Sequence, residues 1–388
     1  MLKKKIILII SPQEWGNMLL SKHHYALELA KKGNRVYFLN PPDQLQRLKP
    51  NSIHINSSPF HNELFFIEHR LFFPFGFKFK SMRLFHFLMR FHIKKLLKQI
   101  GQPFDIVWSF DIGNIYPLSF FSKKSIKIFH PVDEPLTQQA INAAADCDII
   151  FSVTNEILTK YQQFPAPKYF INHGVSEDFL AVFKEKSYQP RLPVKVGYSG
   201  NMLRNDIDRR VLLNIISENK QIEFHIFGSY QINQSNIGGD ETDEIKEFIQ
   251  QLIQSSNVLL HGVLDQQKLA KAFAEMDAFL ICYDIEKDQS KGTNYHKIME
   301  YLATGRIIIS NNITTYAHAP SLIQMAAERD HNKQLLFLFN AVIENLRYFN
   351  STELLEERKK FAGENVYSRQ LERIEELLKP YFMQLVTD

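Results

Sequence analysis

The stretch Gly292–Ser310, GTNYHKIMEYLATGRIIIS, constrains this chain more than any other. Ile298, Met299, Leu302 and Ala303 recur at helical spacing, which predicts one buried helix face. Gly305 follows as the residue that takes the left-handed conformation cheaply and so stops the helix. Ile307, Ile308 and Ile309 are then fully apolar and β-branched, the pattern of a strand covered on both sides in a parallel sheet. A helix that closes on glycine and enters such a strand belongs to an α/β architecture.

Chemistry is superimposed on that scaffold. Thr293 or Asn294 is placed to cap the helix by accepting a bond from a first-turn N–H. Lys297 lies in the first turn, where the helix dipole disfavours a cation unless an anion such as a phosphate is bound there too. Glu300, one turn on, is placed to accept hydrogen bonds from paired hydroxyls such as those of a ribose. The same two residues also read as a surface ion pair at i, i+3, worth only about a few tenths of a kcal/mol.

The run KIMEYLATGRIIIS resembles the nucleotide-sugar-binding segment of GT-B glycosyltransferases. Among these it is most similar to the family 4-like bacterial enzymes, particularly those of teichuronic-acid and capsular polysaccharide synthesis. The resemblance implies two Rossmann-like domains with parallel sheets facing a cleft, a nucleoside-diphosphate sugar as co-substrate, and Glu300 in contact with the donor. It also exposes a departure. That family carries two glutamates separated by seven residues, and the first would fall at 292, where this chain has Gly292. Asp284, Glu286 and Asp288 are nearby but out of register.

At 388 residues the chain is long enough for two cores. Cys147 and Cys282, the two cysteines, fall in apolar, strand-like contexts and read as reduced thiols of a cytoplasmic protein. The start, MLKKKIILIIS, has too short an apolar run for a signal segment and reads as a first strand. No uncharged apolar run approaches the length of a membrane span. Charge is uneven: residues 1–183 hold 22 Lys/Arg against 14 Asp/Glu, whereas the remainder holds 24 against 28. The basic half suits an anionic acceptor or membrane surface.

Strands are predicted at Ile6–Ile10 and Val36–Leu39, with a helix from about Ser21 to Lys32 between them. The loop between the first strand and that helix carries Gly16, but no GxGxxG, so a dinucleotide fingerprint is absent. Gly16 either lets a substrate approach the backbone or is a plain turn glycine. His23 and His24 are candidates for acceptor contact. Residues 69–98 hold eight Lys/Arg, eight Phe and no acid. From Met82 to Lys98 they read either as a basic amphipathic helix at an anionic bilayer or as a domain helix with its Phe face in the core. No RNA-binding motif accompanies them, and no nucleic-acid partner is expected.

His130-Pro-Val-Asp133-Glu-Pro follows the strand Ile126–Phe129, and open α/β sheets place ligand sites at such strand ends. His130 and Asp133 are therefore the candidate reactive residues, with Asp133 as general base for an acceptor hydroxyl. They read equally as strand and helix caps. In the resemblance, a histidine or acid here meets the donor sugar. Asp146-Cys-Asp148 is a DxD tripeptide, but it marks a helix-to-strand turn and not a metal site. Asn172-His173-Gly174-Val175 resembles the signature ending the GT-B N-terminal domain, and Pro190 and Pro193 mark a linker around residues 180–193.

The pattern then restarts. Val194–Tyr198 is a strand, and Ser199-Gly200-Asn201 is a tight loop able to offer N–H groups to a pyrophosphate. Arg204 is the preferred balancing cation, ahead of Arg209 or Arg210. Gly262 and Val263 follow the strand Val258–Leu260, where the resemblance places the nucleobase. Segment 229–240 is polar and reads as a loop, and beyond Ser310 the chain reads as helical to its end.

These readings predict an acceptor domain over 1–183, completed by a C-terminal helix 366–388 packing back on it, and a donor domain over 190–365. The expected activity is sugar transfer from a UDP- or GDP-linked donor to a surface-polysaccharide or lipid-linked acceptor at the inner face of the plasma membrane, without metal or other cofactor. The alternatives are a non-catalytic nucleotide- or carbohydrate-binding protein and a nucleotide-sugar epimerase on the same fold.

Overall fold

A computed structural model describes residues 2–184, 187–232, 239–288, 291–327, 329 and 332–387. Two compact units emerge. The first comprises Met1–Trp15, Leu19–Asn172 and Ser368–Asp388; the second comprises Gly16–Met18 and His173–Tyr367.

In the first unit the strands are β1 (Ile6–Ile10), β2 (Arg35–Leu39), β3 (Ile53–Ser57), β4 (Leu64–His69), β5 (Ile106–Ser109), β6 (Ile126–Phe129), β7 (Ile149–Ser152) and β8 (Lys168–Phe170). They form one sheet in the order β3-β4-β2-β1-β5-β6-β7-β8. All pairs are parallel except the hairpin β3–β4. That hairpin is absent from the sequence expectations; in β3, Ile53 and Ile55 alternate with polar His54 and Asn56, and only Ile53 is buried. In contrast β5, β6 and β7 are buried at every residue, as their apolar runs demand.

The second sheet is wholly parallel. Its strands are β9 (Val194–Ser199), β10 (Ile222–Phe227), β11 (Val258–Gly262), β12 (Ala278–Ile281), β13 (Ile307–Ser310) and β14 (Ile323–Met325), in the order β11-β10-β9-β12-β13-β14. The last strand corrects the expectation that only helix follows Ser310: Ile323 pairs with Ile308 and is buried, so three residues suffice as an edge. The order reverses at β9, which lies between β10 and β12. Such a switch point opens a crevice at the carboxyl end of the strand.

The boundary between the units falls at Asn172–His173, earlier than the predicted end at 183. Packing explains the shift. Val175 and Phe179 are buried in the second unit's core, with the Phe179 ring 5.8 Å from that of Phe273. At the other end, the helix Tyr367–Thr387 belongs to the first unit from Ser368 onward. There the Glu375 carboxylate accepts from the Leu2 N–H at 2.7 Å and the Lys32 ammonium at 2.9 Å. No helix among the described residues is long and apolar enough to cross a membrane. Cys147 and Cys282 are both free thiols.

Candidate functional site

The carboxyl ends of β9, β10 and β11 are tied together by glycines. The Gly200 N–H donates to the Phe227 carbonyl at 2.8 Å, and the Gly228 N–H donates to the Gly262 carbonyl at 2.8 Å. Gly228 has φ +132°, and a Cβ there would lie 2.0 Å from the Gly200 carbonyl oxygen. Only glycine fits that approach. The floor of the crevice is thus bare backbone.

Lys297 opens the helix Lys297–Thr304 and reaches over this floor. Its ammonium donates to the Tyr283 hydroxyl at 2.6 Å and to the Ser199 carbonyl. It lies 4.8 Å from the Tyr283 ring centroid and 5.3 Å from that of Tyr198. A Cβ placed on Gly200 would meet this ammonium at 2.8 Å. The expected cation and the expected glycine loop are therefore in contact. Tyr301, one turn along, locks the arrangement: its hydroxyl accepts from the Ser199 N–H at 2.6 Å and its ring stacks on Phe279 at 4.1 Å.

Glu300 is half-buried and makes no hydrogen bond or ion pair with any described residue. Burial pushes its carboxyl up to about 7, partly opposed by the nearby Lys297 charge. A carboxylate withdrawn from water without a protein donor is disposed to accept hydroxyl protons from a ligand.

The helix cap differs from expectation. The residue before Lys297, His296, takes the cap position in helical conformation with no side-chain bond to the helix. Thr293 and Asn294 instead shape the preceding loop. The Thr293 carbonyl accepts from the Thr315 hydroxyl at 2.5 Å, and Asn294 Oδ1 accepts from the Tyr295 N–H at 2.9 Å. Leaving the cap position without a polar side-chain lid keeps first-turn positive potential available to an anion.

Arg204, the preferred balancing cation, is paired with Asp206. Its guanidinium holds Asp206 in a bidentate pair, Nε to Oδ1 at 2.8 Å and Nε to Oδ2 at 3.0 Å, which raises its pKa further. Arg209 is buried against Glu244 and the Arg204 carbonyl, and Arg210 is exposed. Asn201 spends its Oδ1 on the Leu203 N–H at 3.0 Å, bracing the loop. Gly262 and half-buried Val263 end β11 beside the same row of glycines.

No family model matches the chain, and no curated protein matches it either. Solved structures do. A sucrose-phosphate synthase from Thermosynechococcus elongatus superposes with a TM-score of 0.71 at 12% identity, covering 98% of this chain and all of that one. The chain has the GT-B fold. The E. coli trehalose-6-phosphate protein bound with UDP-2-fluoro glucose matches at TM-score 0.66 and 11% identity, over 96% and 99% of the two chains. Anabaena HepE in complex with UDP and glucose matches at 0.64 and 12%, again over 96% and 99%.

Within this GT-B framework the position of the absent first glutamate has a structural explanation. Gly292 has φ +62°, and a Cβ there would stand 2.9 Å from the Asn312 carbonyl. Its N–H donates to Asp288 Oδ2 at 2.9 Å, and the same oxygen accepts from the Tyr295 hydroxyl at 2.7 Å. A glutamate at 292 would require the loop to move.

The first unit treats its candidates differently. His130 is buried, with neither ring nitrogen bonded to a described residue. Its ring stacks on Phe110 at 4.9 Å and Trp108 at 5.9 Å, and burial pushes its pKa down to about 3. It is a neutral member of an aromatic cluster, not a strand cap. Asp133 is half-buried, and the helix after it is capped by Thr137 instead. The cation that feels Asp133 is Lys22, which is buried and donates to the Gln13 side chain. Burial lowers the Lys22 pKa to about 8, with Asp133 opposing. Gly16, which falls in the second unit, is half-buried; in the first unit the Trp15 N–H donates to Asn40 Oδ1 at 2.9 Å. His23 Nδ1 accepts from the Leu20 N–H at 2.8 Å, a local structural bond.

Asp148 spends Oδ2 on the Lys127 N–H at 2.7 Å, and among the described residues no three His, Cys, Asp or Glu gather as metal ligands. Of the loop expected over 229–240, residues 233–238 lie outside the described residues.

Sequence reasoning passed over Gly228, Tyr283, Tyr301 and Lys22. Gly228 carried a usable signal, since Phe227-Gly228-Ser229 repeats the strand-then-glycine pattern of Tyr198-Ser199-Gly200. The tyrosines carried none, because an aromatic just past a strand, as Tyr283, or on an apolar helix face, as Tyr301, is ordinarily core.

Proposed function

We propose that this chain is a glycosyltransferase that moves a sugar from a nucleoside-diphosphate donor, UDP- or GDP-linked, to a surface-polysaccharide or lipid-linked acceptor. The observation that carries the reading is the Lys297 ammonium seated against Gly200, one turn from the carboxylate of Glu300, which no described residue engages. In this reading the diphosphate lies on the Gly200–Asn201 backbone, with Lys297 and the helix start supplying positive charge. Glu300 holds the ribose hydroxyls, and the base rests near Gly262 and Val263. Thr293 and Asn294 act as loop-shaping residues.

As the glycosidic bond to the leaving diphosphate lengthens, the sugar gains oxocarbenium character. Negative charge then grows on the departing oxygens, where Lys297 stabilises it more than in the ground state. A metal is unnecessary here because a lysine and a helix terminus already meet that charge. Asp133 is the candidate base for the acceptor hydroxyl. The solved relatives support the donor class, since two are described with UDP or a UDP-sugar analogue bound. The basic, phenylalanine-rich segment 69–98 supports work at the inner face of an anionic membrane.

The test is calorimetric titration with UDP and GDP, followed by release of nucleoside diphosphate from UDP- and GDP-sugars in the presence of glycan acceptors. Saturable binding and acceptor-dependent release are expected; absence of both rejects the reading. Gly292 favours one alternative, a nucleotide-binding protein without transfer, which would bind the nucleotide but release none.

A further inference from the structure

The helix Met82–Ile100 presents two apolar faces, and only one of them is used by the core. Phe85, Met89, His92, Ile93 and Leu96 are buried in the first unit. Leu84, Phe87 and Phe91 point outward and are 44%, 59% and 52% exposed, with Phe87 and Phe91 in edge contact at 5.2 Å. Around them Arg83, Arg90, Lys94, Lys95 and Lys98 are all exposed, and no acid occurs anywhere in 69–98.

Beside this face lies a groove of about 470 Å³ lined by Asn51, Phe72, Leu88, Phe91, His92 and Lys95. Its lining is graded. Leu88, Phe91, His92 and Lys95 stand at i, i+3, i+4 and i+7 on one helix face, so the groove runs from apolar to polar to cationic. Lys95 donates one N–H to the Asn51 carbonyl at 2.5 Å, which leaves two for a ligand. His92 is 1% exposed; its Nε2 engages His69 Nδ1 at 2.9 Å, so it forms part of the groove's buried floor.

We propose that this groove seats one anionic phospholipid of a bilayer: its phosphate pairs with Lys95, and its acyl chain covers Leu88, Phe91 and Phe72. The charge favours that occupant over a neutral lipid, because the surrounding segment is uniformly cationic. The length of the gradient favours a single amphiphile over an apolar peptide, which would leave Lys95 without a counter-charge. This goes beyond adsorption of a basic surface, since it requires a defined one-lipid site. It does not rest on sugar transfer.

The test titrates the full chain with monomeric short-chain phosphatidylglycerol and with its phosphatidylcholine counterpart. Saturation at about one lipid per chain is expected, as for a preformed pocket. Phosphatidylglycerol should bind about five-fold more tightly, the effect of one cation near an anionic head, and Lys95→Gln should remove that preference. Leu88→Trp, which fills the groove, should abolish saturation, whereas Phe87→Trp, outside it, should not. Absent or non-saturating binding by the unaltered chain overturns the proposal, and so does equal binding by Leu88→Trp. Because UDP titration is independent, a chain that binds nucleotide but not monomeric lipid rejects this site alone.

Discussion

The end of β9 and the end of β6 present the same motif in sequence, an apolar strand followed at once by residues with chemistry. In space they are opposites. At β9 the glycine leaves the backbone open, and Lys297 is drawn in from a helix 98 residues away in sequence from Ser199. At β6 the His130 side chain turns into a cluster of Trp108, Phe110 and Phe151 and gives up its polar contacts. A strand end therefore stays open only where the next residue leaves room, and it carries charge only where a facing helix supplies it. Predictions that separate the two ends rank as follows.

The largest effect is expected on stability at the glycine row. Gly228→Ala forces a Cβ to 2.0 Å from a carbonyl oxygen at a φ of +132°, and should destabilise by about 3 kcal/mol in a denaturant melt. A variant as stable as the native chain would mean the strand ends are not held as closely as described. Lys297→Ala comes next. It should weaken UDP or GDP binding by about two orders of magnitude, the worth of a charge-assisted contact, with little change in melting temperature. Unchanged affinity would move the diphosphate elsewhere.

Glu300 sharpens the comparison through pH. Its folded pKa, about 7, lies above the ordinary 4.5, so the folded chain holds this proton while the unfolded chain releases it between those values. Its contribution to stability is thus full below 4.5 and is lost as pH rises through 7. Glu300→Gln should melt higher than the native chain at pH 8 and match it near pH 4.5. Nucleotide affinity should move the other way, rising with pH through 7 as the carboxylate forms, and Glu300→Gln should cost about 1–3 kcal/mol of binding and erase that rise. The smallest effect belongs to His130→Phe. Removing two partnerless nitrogens from an aromatic cluster should leave stability within about 1 kcal/mol and nucleotide affinity unchanged. If transfer collapsed in that variant while the melting curve held, the two strand ends would be equals after all, and His130 would have to meet the substrate.

Much of the scaffold was legible. The wholly apolar runs that became β1 and β12, and the triple-isoleucine run of β13, stand out because strands buried on both faces leave little place for polar residues. Gly305 closes its helix with φ +77°, as its position before an apolar run implied. The weakly patterned hairpin β3–β4 and the short edge β14 were not legible, since their partners lie elsewhere in the fold and supply the pairing. In the candidate site, the helix that carries Lys297 and Glu300 and the tight loop at Gly200 were legible as local structure. For Arg204, proximity in sequence left out Asp206, two residues on, with which its guanidinium pairs.

What the sequence determined by itself is the alternation of helix and buried strand, because periodicity and β-branching act within one segment. What only the tertiary structure decided is which polar groups remain open to a ligand. Lys297 meets Gly200, Glu300 finds no protein donor among the described residues, and His130 is swallowed by aromatic rings. Each outcome depends on which side chains converge from distant segments, and burial and hydrogen bonding are settled by those neighbours and not by the residue's own chain context.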